Sequence, residues 1–429
     1  MTSGFEVWDK IFDSLPVLQE VRSNGNFYIT SKDLNQISNR LKGPDARNLV
    51  KYDHVSMLPP ILRKNRLSLL PVGRGEFLLG PHKIYAHLDD RNLCPIKQLR
   101  FPSELETLQR ISSETDALMV AFHGQAISEV LGEPVQLTGG GKEGGPGFDM
   151  VVEQIGGHKQ EVHIKKGVSI EIDGTYEGAS LIGVFEAKLK SVVDFNVRQL
   201  YFPLRSMAAR LSKPVRTVFL TYANEVFDIR EFKFLEFTNI SSFVEVSRFR
   251  YSTAKSPILQ SDLDTLATEN LSAKEPPDKT PPFPQADSLD RLINLVENLV
   301  QKPRSKSELA DEFGFDERQS DYYGNAASFL GLASRIEQGK WGATKLAEKI
   351  FALQFRERNL EIANLVLAHD VFRLAYLKAR EDGEIPSSDR LLDILRSSPL
   401  SSKMSGSTPP RRVGTIKGWV RWLLTIAEE

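Results

Sequence analysis

The sequence predicts a multidomain α/β (α+β) protein whose central part is a mixed β-sheet flanked by helices. The 429 residues exceed the length that one hydrophobic core usually holds. Residues 101–255 alternate short apolar runs, which are typical of strands, with segments whose apolar side chains recur at helical spacing. Residues 286–343 have the pattern of three helices and two short strands, which is the element order of a winged helix-turn-helix.

The composition excludes several classes of protein. Hydrophobic residues make up 41% and charged residues 26% of the chain, which excludes a disordered or coiled-coil protein. Cys94 is the only cysteine, so an internal disulfide and a Cys-rich zinc site are excluded. No stretch approaches the roughly 18 apolar residues of a membrane span, and the N-terminus lacks the pattern of a signal peptide. We therefore expect a soluble cytoplasmic protein that does not bind a membrane.

Charge is distributed unevenly along the chain, although the net charge is only −1. Residues 1–100 carry 15 basic and 10 acidic side chains, and residues 286–429 carry 21 of each. The middle of the chain is therefore acidic. This pattern suits a metal-dependent site between separate binding modules, although random scatter explains it equally well.

Breaks in the pattern predict four segments. Residues 1–100 form an N-terminal α+β domain, 101–255 a central domain, 256–285 a Pro-rich linker, and 286–429 a C-terminal winged-helix and helical domain. The linker is assigned because prolines lack backbone donors and favour extended conformations.

Each segment contains recognisable elements. In the N-terminal segment, a helix at 30–41 is capped by Thr30 or Ser31, and two strands flank the turn Gly73-Arg74-Gly75. The C-terminal segment has a helix at 289–300, a capping box from Ser305 to Glu308, a third helix capped by Asp316, and two strands joined by Gln338 and Gly339. The central segment should contain helices at 103–131 and 195–211, and strands at 148–153, 163–172, 181–189 and 215–222.

A glycine-rich segment at 138–147 precedes the first predicted central strand. It is not a phosphate-binding P-loop, because Lys142 is followed by Glu143 rather than Ser or Thr, and a strand follows instead of a helix. We expect a flexible loop that can approach a DNA backbone closely.

The strongest chemical signal combines Asp149 with Glu186 and Lys188. Side chains alternate along a strand, so Glu186 and Lys188 should point to the same side. Asp149 follows the glycine-rich segment, which could bring it beside them. Two nearby carboxylates favour a hard cation such as Mg²⁺, and a lysine beside them can orient a metal-bound water for phosphodiester hydrolysis.

A second Glu-x-Lys triplet, Glu231-Phe232-Lys233, competes with this assignment. It lies in a run that alternates charged and apolar residues, which is typical of a solvated face. Glu186 and Lys188 instead end the apolar run Leu-Ile-Gly-Val-Phe, as expected of a buried strand whose charged end reaches a site. We favour Glu186.

These residues carry a resemblance to a known family. Gly147-Phe-Asp-Met-Val-Val152, Val184-Phe-Glu-Ala-Lys188 and the run from Phe195 to Arg205 resemble the PD-(D/E)XK nuclease superfamily, specifically type II restriction endonucleases. The flanks agree: residues 58–62 together with 70–76 resemble the N-terminal region of some of these enzymes, and residues 315–326 resemble a winged-helix module found in them. One departure is that Asp149 follows Gly-Phe rather than Pro.

The resemblance implies a restriction-endonuclease-like mixed sheet and a division of roles. Asp149 and Glu186 would bind Mg²⁺, aided by the Ala187 carbonyl, and Lys188 would position the attacking water. Glu129, on the preceding helix, is a candidate supporting carboxylate, although a solvated helix face explains it better. Gln199 is a second supporting candidate.

The candidate DNA-binding residues lie in three places: around the N-terminal hairpin, after the predicted catalytic strand, and on the third helix of the winged helix. Basic side chains cluster around the hairpin, and the third helix of a winged helix normally enters the major groove. Two alternatives stay open: the third helix could only pack against other domains, and Arg198 and Gln199 could be plain helix surface. The candidates are Arg63, Lys64, Arg66, Arg74, Arg198, Arg318, Gln319, Tyr322 and Asn325.

The resulting prediction is a site-specific endonuclease that cleaves double-stranded DNA and leaves 5′-phosphates. Cutting two strands with one site per chain favours a homodimer, and a cognate DNA methyltransferase would protect the host DNA. Two alternatives stay open. One is a repair or structure-specific nuclease on the same fold, and the other is a winged-helix regulator with an inert nuclease-like domain.

Overall fold

The fold is mixed α/β, with a mixed seven-stranded sheet as its largest sheet, as the sequence predicts. Among the residues described below, no helix is long and apolar enough to cross a membrane. The computed structural model describes residues 2–89, 93–100, 102, 104–108, 110–254, 256–270, 283–313, 317–336, 339–400 and 408–428.

The N-terminal part packs helices against a three-stranded antiparallel sheet, with Trp8 and its apolar neighbours as the core. Thr30 caps its third helix: its hydroxyl accepts from the Asp33 amide, and the Asp33 carboxylate accepts in return. The predicted cap and the predicted hairpin are confirmed; Gly75, at φ +73°, makes the turn. The elements are α1 (Gly4–Ser14), α2 (Val17–Asn24), β1 (Phe27–Thr30), α3 (Ser31–Arg40), α4 (Pro60–Lys64), β2 (Ser68–Gly73) and β3 (Glu76–Gly80).

Where the structure describes it, the central part contains the seven-stranded sheet, two pairs of strands and three α-helices. Its elements are β4 (Tyr85–His87), β5 (Ile96–Gln98), α5 (Glu114–His123), α6 (Ala126–Leu131), β6 (Val135–Gly144), β7 (Phe148–Glu153), β8 (Lys159–Ile164), β9 (Ser169–Gly178), β10 (Ile182–Lys188), β11 (Asp194–Asn196), α7 (Arg198–Ala208), β12 (Val215–Ala223), β13 (Val226–Phe234) and β14 (Phe243–Ser252).

The strand order is β5-β14-β13-β12-β10-β9-β6. β6 pairs antiparallel with β9, and β9 pairs antiparallel with β10, whereas β10 and β12 are parallel and are joined through α7. Side chains of β10 alternate between two cores: Val184 packs in the cluster with α7, and Phe185 and Ala187 pack in the cluster with α5 and α6. Glu186 and Lys188 therefore lie on the α7 side, as the alternation predicts.

Three predictions for the central part are wrong. The strand expected at 163–172 is the end of β8 and the start of β9, with a turn between them. Residues 138–147 were expected to form a flexible loop, but most of them belong to β6, which pairs with β9 at the sheet edge despite its glycines. The single helix expected at 103–131 is two helices, because the chain breaks at Gly124 and Gln125, and Gln125 adopts φ +67°.

The C-terminal part is mostly helical and contains the expected three helices followed by a two-stranded hairpin. The predicted cap Asp316 and the turn residue Gln338 lie outside the described residues. The elements are β15 (Ile258–Leu259), α8 (Gln260–Glu269), α9 (Leu289–Gln301), α10 (Lys306–Phe313), α11 (Glu317–Phe329), β16 (Ala333–Arg335), β17 (Trp341–Ala343), α12 (Lys345–Phe351), α13 (Phe355–Leu367), α14 (Asp370–Asp382), α15 (Ser388–Ser397), α16 (Thr408–Thr425) and β18 (Ala427–Glu428).

Two of the predicted segment boundaries need correction. The predicted linker, 256–285, begins with β15 and α8, and Leu263 and Ala267 of α8 are buried in the C-terminal core. Its residues 271–282 lie outside the part of the chain that the structure describes. The N-terminal boundary at 100 is also too late, because β4 and β5 pair with β11 and β14 of the central part.

Candidate active site

Glu186 and Lys188 form a buried ion pair at the carboxyl end of β10. The Lys188 ammonium contacts the Glu186 carboxylate, and the two side chains are 16% and 6% exposed. The apolar residues before them fix the strand between its neighbours, so the pair is presented on rigid backbone. This is the geometry expected for these two residues.

Asp173 is the carboxylate that the fold brings to this pair. It lies on β9, antiparallel to β10, where Gly174 pairs with Phe185. The Asp173 carboxylate accepts a hydrogen bond of 2.8 Å from the backbone amide of Ala187, between the two members of the ion pair. Sequence reasoning missed Asp173, although it ends an alternating run in the strand immediately before β10.

Gln199 completes the contacts of Glu186. It lies in the first turn of α7, and its side-chain amide donates to the same Glu186 oxygen that Lys188 contacts. Its own carbonyl oxygen is buried and has no hydrogen-bond partner among the described residues. The prediction that Gln199 supports the site is consistent with this position.

The electrostatics of the site favour a cation. Burial raises the pKa of the Glu186 carboxyl, and the charges of Asp173 and Asp53 add to this shift, while Lys188 opposes it. Burial also raises the pKa of Asp173. For Lys188, burial acts to lower the pKa, but the ion pair with Glu186 outweighs it and the pKa is raised. A positive ion beside Asp173 and Glu186 would therefore stabilise their charged forms, which burial disfavours.

Asp149 does not lie beside Glu186, and its expected placement is corrected. It belongs to the separate β7–β8 hairpin, where its side chain is 88% exposed. Its carboxylate pairs with His163 Nδ1 at 2.6 Å. The physical reason is that residues 138–144 form a paired edge strand and not a mobile loop, so they cannot carry Asp149 to the end of β10.

Glu129 is also away from the site. It lies on α6 and pairs with Lys97, and its side chain is 46% exposed. The acidic side chain that reaches the site from this helical region is Glu114, in the first turn of α5, whose charge acts on Asp173 and on Lys190.

In the competing triplet, the Glu231 carboxylate is mostly buried and is paired with an arginine. Glu231 accepts from Arg216 Nε at 2.6 Å and from Ser247 at 3.1 Å, and its side chain is 13% exposed. The expected solvated face is therefore wrong for Glu231 and correct for Lys233, which is exposed.

The predicted DNA-binding residues do not form one surface. Lys64, Arg66 and Arg74 are exposed around the N-terminal hairpin, and Arg318 is exposed on α11. Arg198 is half-buried, with its guanidinium 5.8 Å from the centre of the Phe202 ring, and Asn325 is also half-buried. The remaining three, Arg63, Gln319 and Tyr322, line a cavity where the three parts of the chain meet.

Asp173 and Glu186 are the donors that fit Mg²⁺. Both are carboxylates, and Mg²⁺ is usually held by one or two carboxylates together with water and substrate oxygens. Within the described residues, no group of three or more His, Cys, Asp or Glu side chains is placed to hold a metal ion. A site of this kind would therefore depend on water and phosphate for its other ligands.

Three family models match consecutive parts of the chain. A domain of unknown function, DUF6996, matches residues 5–79, a second, DUF6997, matches residues 80–252, and a third, DUF7226, matches residues 291–428. No curated protein and no solved structure matches the chain. The boundary at 79 and 80 coincides with the end of β3, in agreement with the corrected segments.

Proposed function

We propose that the chain is a Mg²⁺-dependent endodeoxyribonuclease of the PD-(D/E)XK superfamily that acts as a type II restriction endonuclease on double-stranded DNA. The observation that carries the proposal is the convergence of Asp173, Glu186 and Lys188 on two adjacent strands. In this assignment Asp173 takes the role that the sequence pattern gave to Asp149. The antiparallel β6-β9-β10 strands, followed through α7 by the parallel β12, suit the mixed sheet of that superfamily.

The donor set gives each residue a role. Asp173 and Glu186, with the Ala187 carbonyl, would hold Mg²⁺, which when bound polarises the scissile phosphate and lowers the pKa of a coordinated water. Lys188 orients the attacking water and neutralises the charge that develops on the phosphate. Gln199 holds the Glu186 carboxylate in place.

Hydrolysis then proceeds by in-line attack. The water oxygen bonds to phosphorus, the bond from phosphorus to the 3′-oxygen breaks, and the proton lost by the water reaches the 3′-oxygen through solvent. The products are a 5′-phosphate and a 3′-hydroxyl. Because one chain carries one such site, cutting both strands favours a homodimer, and a methyltransferase of the same system would protect the host DNA.

Digestion of long unmethylated DNA tests the proposal. We expect cleavage with Mg²⁺ or Mn²⁺, none in EDTA, and discrete fragment ends that share one sequence motif. Glu186→Gln should remove cleavage, whereas Glu231→Gln, the matched change in the competing triplet, should retain it.

Other outcomes overturn the proposal in distinguishable ways. Random ends would favour a non-specific nuclease, and cleavage confined to branched or damaged DNA would favour a repair or structure-specific nuclease. DNA binding by a folded protein that never cleaves would favour a regulator with an inert nuclease-like domain. Cleavage that survives Glu186→Gln would remove the assignment of the site itself.

A further inference from the structure

A cavity of about 770 Å³ lies where the three parts of the chain meet. We call it the junction cavity. The N-terminal part contributes Arg63, the central part Arg248, and the C-terminal part Tyr322, among others. Asp173, Glu186 and Lys188 do not line it, so it is separate from the candidate active site. Nothing in the proposed cleavage chemistry uses it.

The junction cavity is positively charged. Seven Lys and Arg side chains line it, against four Asp side chains. Three of the acids already have donors within the protein: Asp194 accepts from the Val55 amide at 3.0 Å, Asp290 from Arg250 at 2.9 Å, and Asp287 from the Tyr323 hydroxyl at 3.4 Å. Two of these cations are matched as well, Arg250 by Asp290 and Arg248 by Asp228, so an unmatched positive charge can come only from other side chains of the cavity.

Two of the cations have no partner among the described residues. The Arg63 guanidinium makes no hydrogen bond or ion pair there, and its Nε is buried. A buried guanidinium nitrogen without an acceptor is costly, so an anion at this point would be stabilising. Arg411, on α16, is likewise without a partner in that part of the chain and is exposed, so it can meet an anion from the solvent side.

An aromatic side chain faces the same space. Tyr322 is half-buried on α11 and lines the cavity beside Gln319. A tyrosine ring can stack on a nucleobase, with a contribution of about 1–3 kcal/mol per base. The combination of unpaired guanidinium groups and an aromatic ring matches the two halves of a nucleotide, its phosphate and its base.

The size of the cavity selects a single nucleotide over a duplex. Small-molecule sites span about 300–1,000 Å³, and 770 Å³ lies within that range. A cube of this volume has an edge of about 9 Å. The major groove alone is about 12 Å wide, and a whole DNA duplex is wider than its groove, so a duplex cannot enter the cavity.

We propose that the junction cavity binds one nucleotide, with Arg63 and Arg411 at the phosphate and Tyr322 against the base. The nucleotide comes either free from solution or from a duplex by extrusion of one base, and the recognition chemistry is the same. The inference goes beyond the proposed cleavage, because it needs neither Mg²⁺ nor the residues around Glu186.

Two binding experiments in EDTA test the proposal on the full chain. In the first, nucleoside monophosphates and inorganic phosphate are titrated separately by calorimetry. In the second, a duplex that carries 2-aminopurine is titrated, since this base becomes more fluorescent when it leaves the stack. Saturable binding of a nucleoside monophosphate would show that the cavity takes a free nucleotide. A rise in 2-aminopurine fluorescence without binding of the monophosphates would show that the cavity takes a base extruded from a duplex.

Variants locate the binding. Arg63→Gln should weaken binding at least about fivefold, and Tyr322→Ala should weaken nucleotide binding more than phosphate binding, whereas Tyr322→Phe should retain it. The control is Arg40→Gln, which removes an exposed arginine from the same part of the chain and should change nothing. Thermal unfolding checks that each variant is folded.

Three results would overturn the proposal. The first is no signal in either experiment, the second is phosphate binding as tight as nucleotide binding, and the third is equal behaviour of Arg63→Gln and Arg40→Gln. None of these depends on whether the protein cleaves DNA, so failure here and failure of the proposed nuclease are distinguishable.

Discussion

The two Glu-x-Lys triplets have the same residue types and opposite electrostatic surroundings. Glu231 accepts from Arg216 and Ser247, so its charge is matched by the protein itself. Burial raises the pKa of Glu186, and the negative charges of Asp173 and Asp53 add to the shift, which Lys188 opposes. A carboxylate that the fold leaves short of positive charge is the one suited to bind a cation. The triplet pattern alone does not distinguish the two cases.

The largest expected effect separates Asp173 from Asp149. Asp173→Asn should abolish cleavage, with a loss of more than about 10³-fold in rate. The substitution removes a metal ligand, and it weakens the hydrogen bond that the Ala187 amide donates to this side chain. Asp149→Asn should change the rate little, since its carboxylate is exposed and paired with His163. Plasmid cleavage rates measure both. A dead Asp149→Asn with an active Asp173→Asn would restore the original assignment.

The second largest expected effect is on the stability of the protein, and it comes from a substitution close to the Glu231 triplet in sequence. Asp228 on β13 is paired with Arg230 at 3.1 Å and with Arg248 at 2.6 Å. Burial acts to raise the pKa of Asp228, but the two arginines outweigh it and hold the pKa well below its usual range. Asp228→Asn should lower the free energy of unfolding by about 3–5 kcal/mol at pH 7, because the buried arginines lose their counter-charge.

The sign of the shift fixes the pH dependence. A carboxyl whose pKa is lower in the folded than in the unfolded protein stabilises the fold above the unfolded pKa of about 3.9. That contribution is lost as the pH falls further. Urea unfolding at pH 7 and at pH 3.5 should therefore show a smaller difference between wild type and Asp228→Asn at the lower pH. An equal difference at both values would contradict the pairing.

A smaller effect compares the two glutamates directly in metal-free protein. Glu231→Gln should lower the free energy of unfolding by about 1–3 kcal/mol, because Arg216 loses a charged acceptor. Glu186→Gln leaves the buried Lys188 without its paired carboxylate, but it should cost less than Glu231→Gln, because it removes a buried charge that neighbouring carboxylates repel, and Asp173 and Asp53 still act on the charge of Lys188. Urea unfolding in EDTA measures both variants. The comparison fails if Glu186→Gln proves the more destabilising change.

Only the local features of the candidate site could be predicted from the sequence. The apolar run before Glu186 predicts a buried strand, and strand alternation predicts that Glu186 and Lys188 share a face. Asp173 was missed because its role depends on the register between β9 and β10, which no local pattern specifies. Asp53 comes from the N-terminal part and reaches the site only through tertiary packing.

The amino-acid composition also gives a wrong prediction for two segments, and the reason is the same for both. The glycines of residues 138–144 favour a loop locally, but hydrogen bonds to β9 outweigh that preference and make them a strand. The segment at 256–285 was assigned to a linker from its prolines, yet its first half contains the buried Leu263. In both cases tertiary pairing decided the structure, and one sequence does not reveal the partner.

The smallest predicted effect concerns Gln199, which acts through Glu186 as a positioning residue. Its amide donates to the Glu186 oxygen that Lys188 also contacts, so it restricts the orientation of a candidate metal ligand. Residues that orient metal ligands typically contribute 10–100-fold to metal affinity or activity. Gln199→Ala should therefore raise the Mg²⁺ concentration for half-maximal cleavage about tenfold and leave the rate at saturating Mg²⁺ less affected.

Gln160→Ala is the matched control for this prediction. Gln160 is also half-buried and makes a side-chain hydrogen bond, to Gln154 at 2.8 Å, but it lies on β8 in the separate hairpin. A general loss of stability would affect both variants at every Mg²⁺ concentration. If Gln199→Ala lowers the maximal rate and leaves the Mg²⁺ requirement unchanged, Gln199 does not act through the orientation of Glu186. A shift in the Mg²⁺ requirement for Gln199→Ala alone would assign the effect to the triplet on β10.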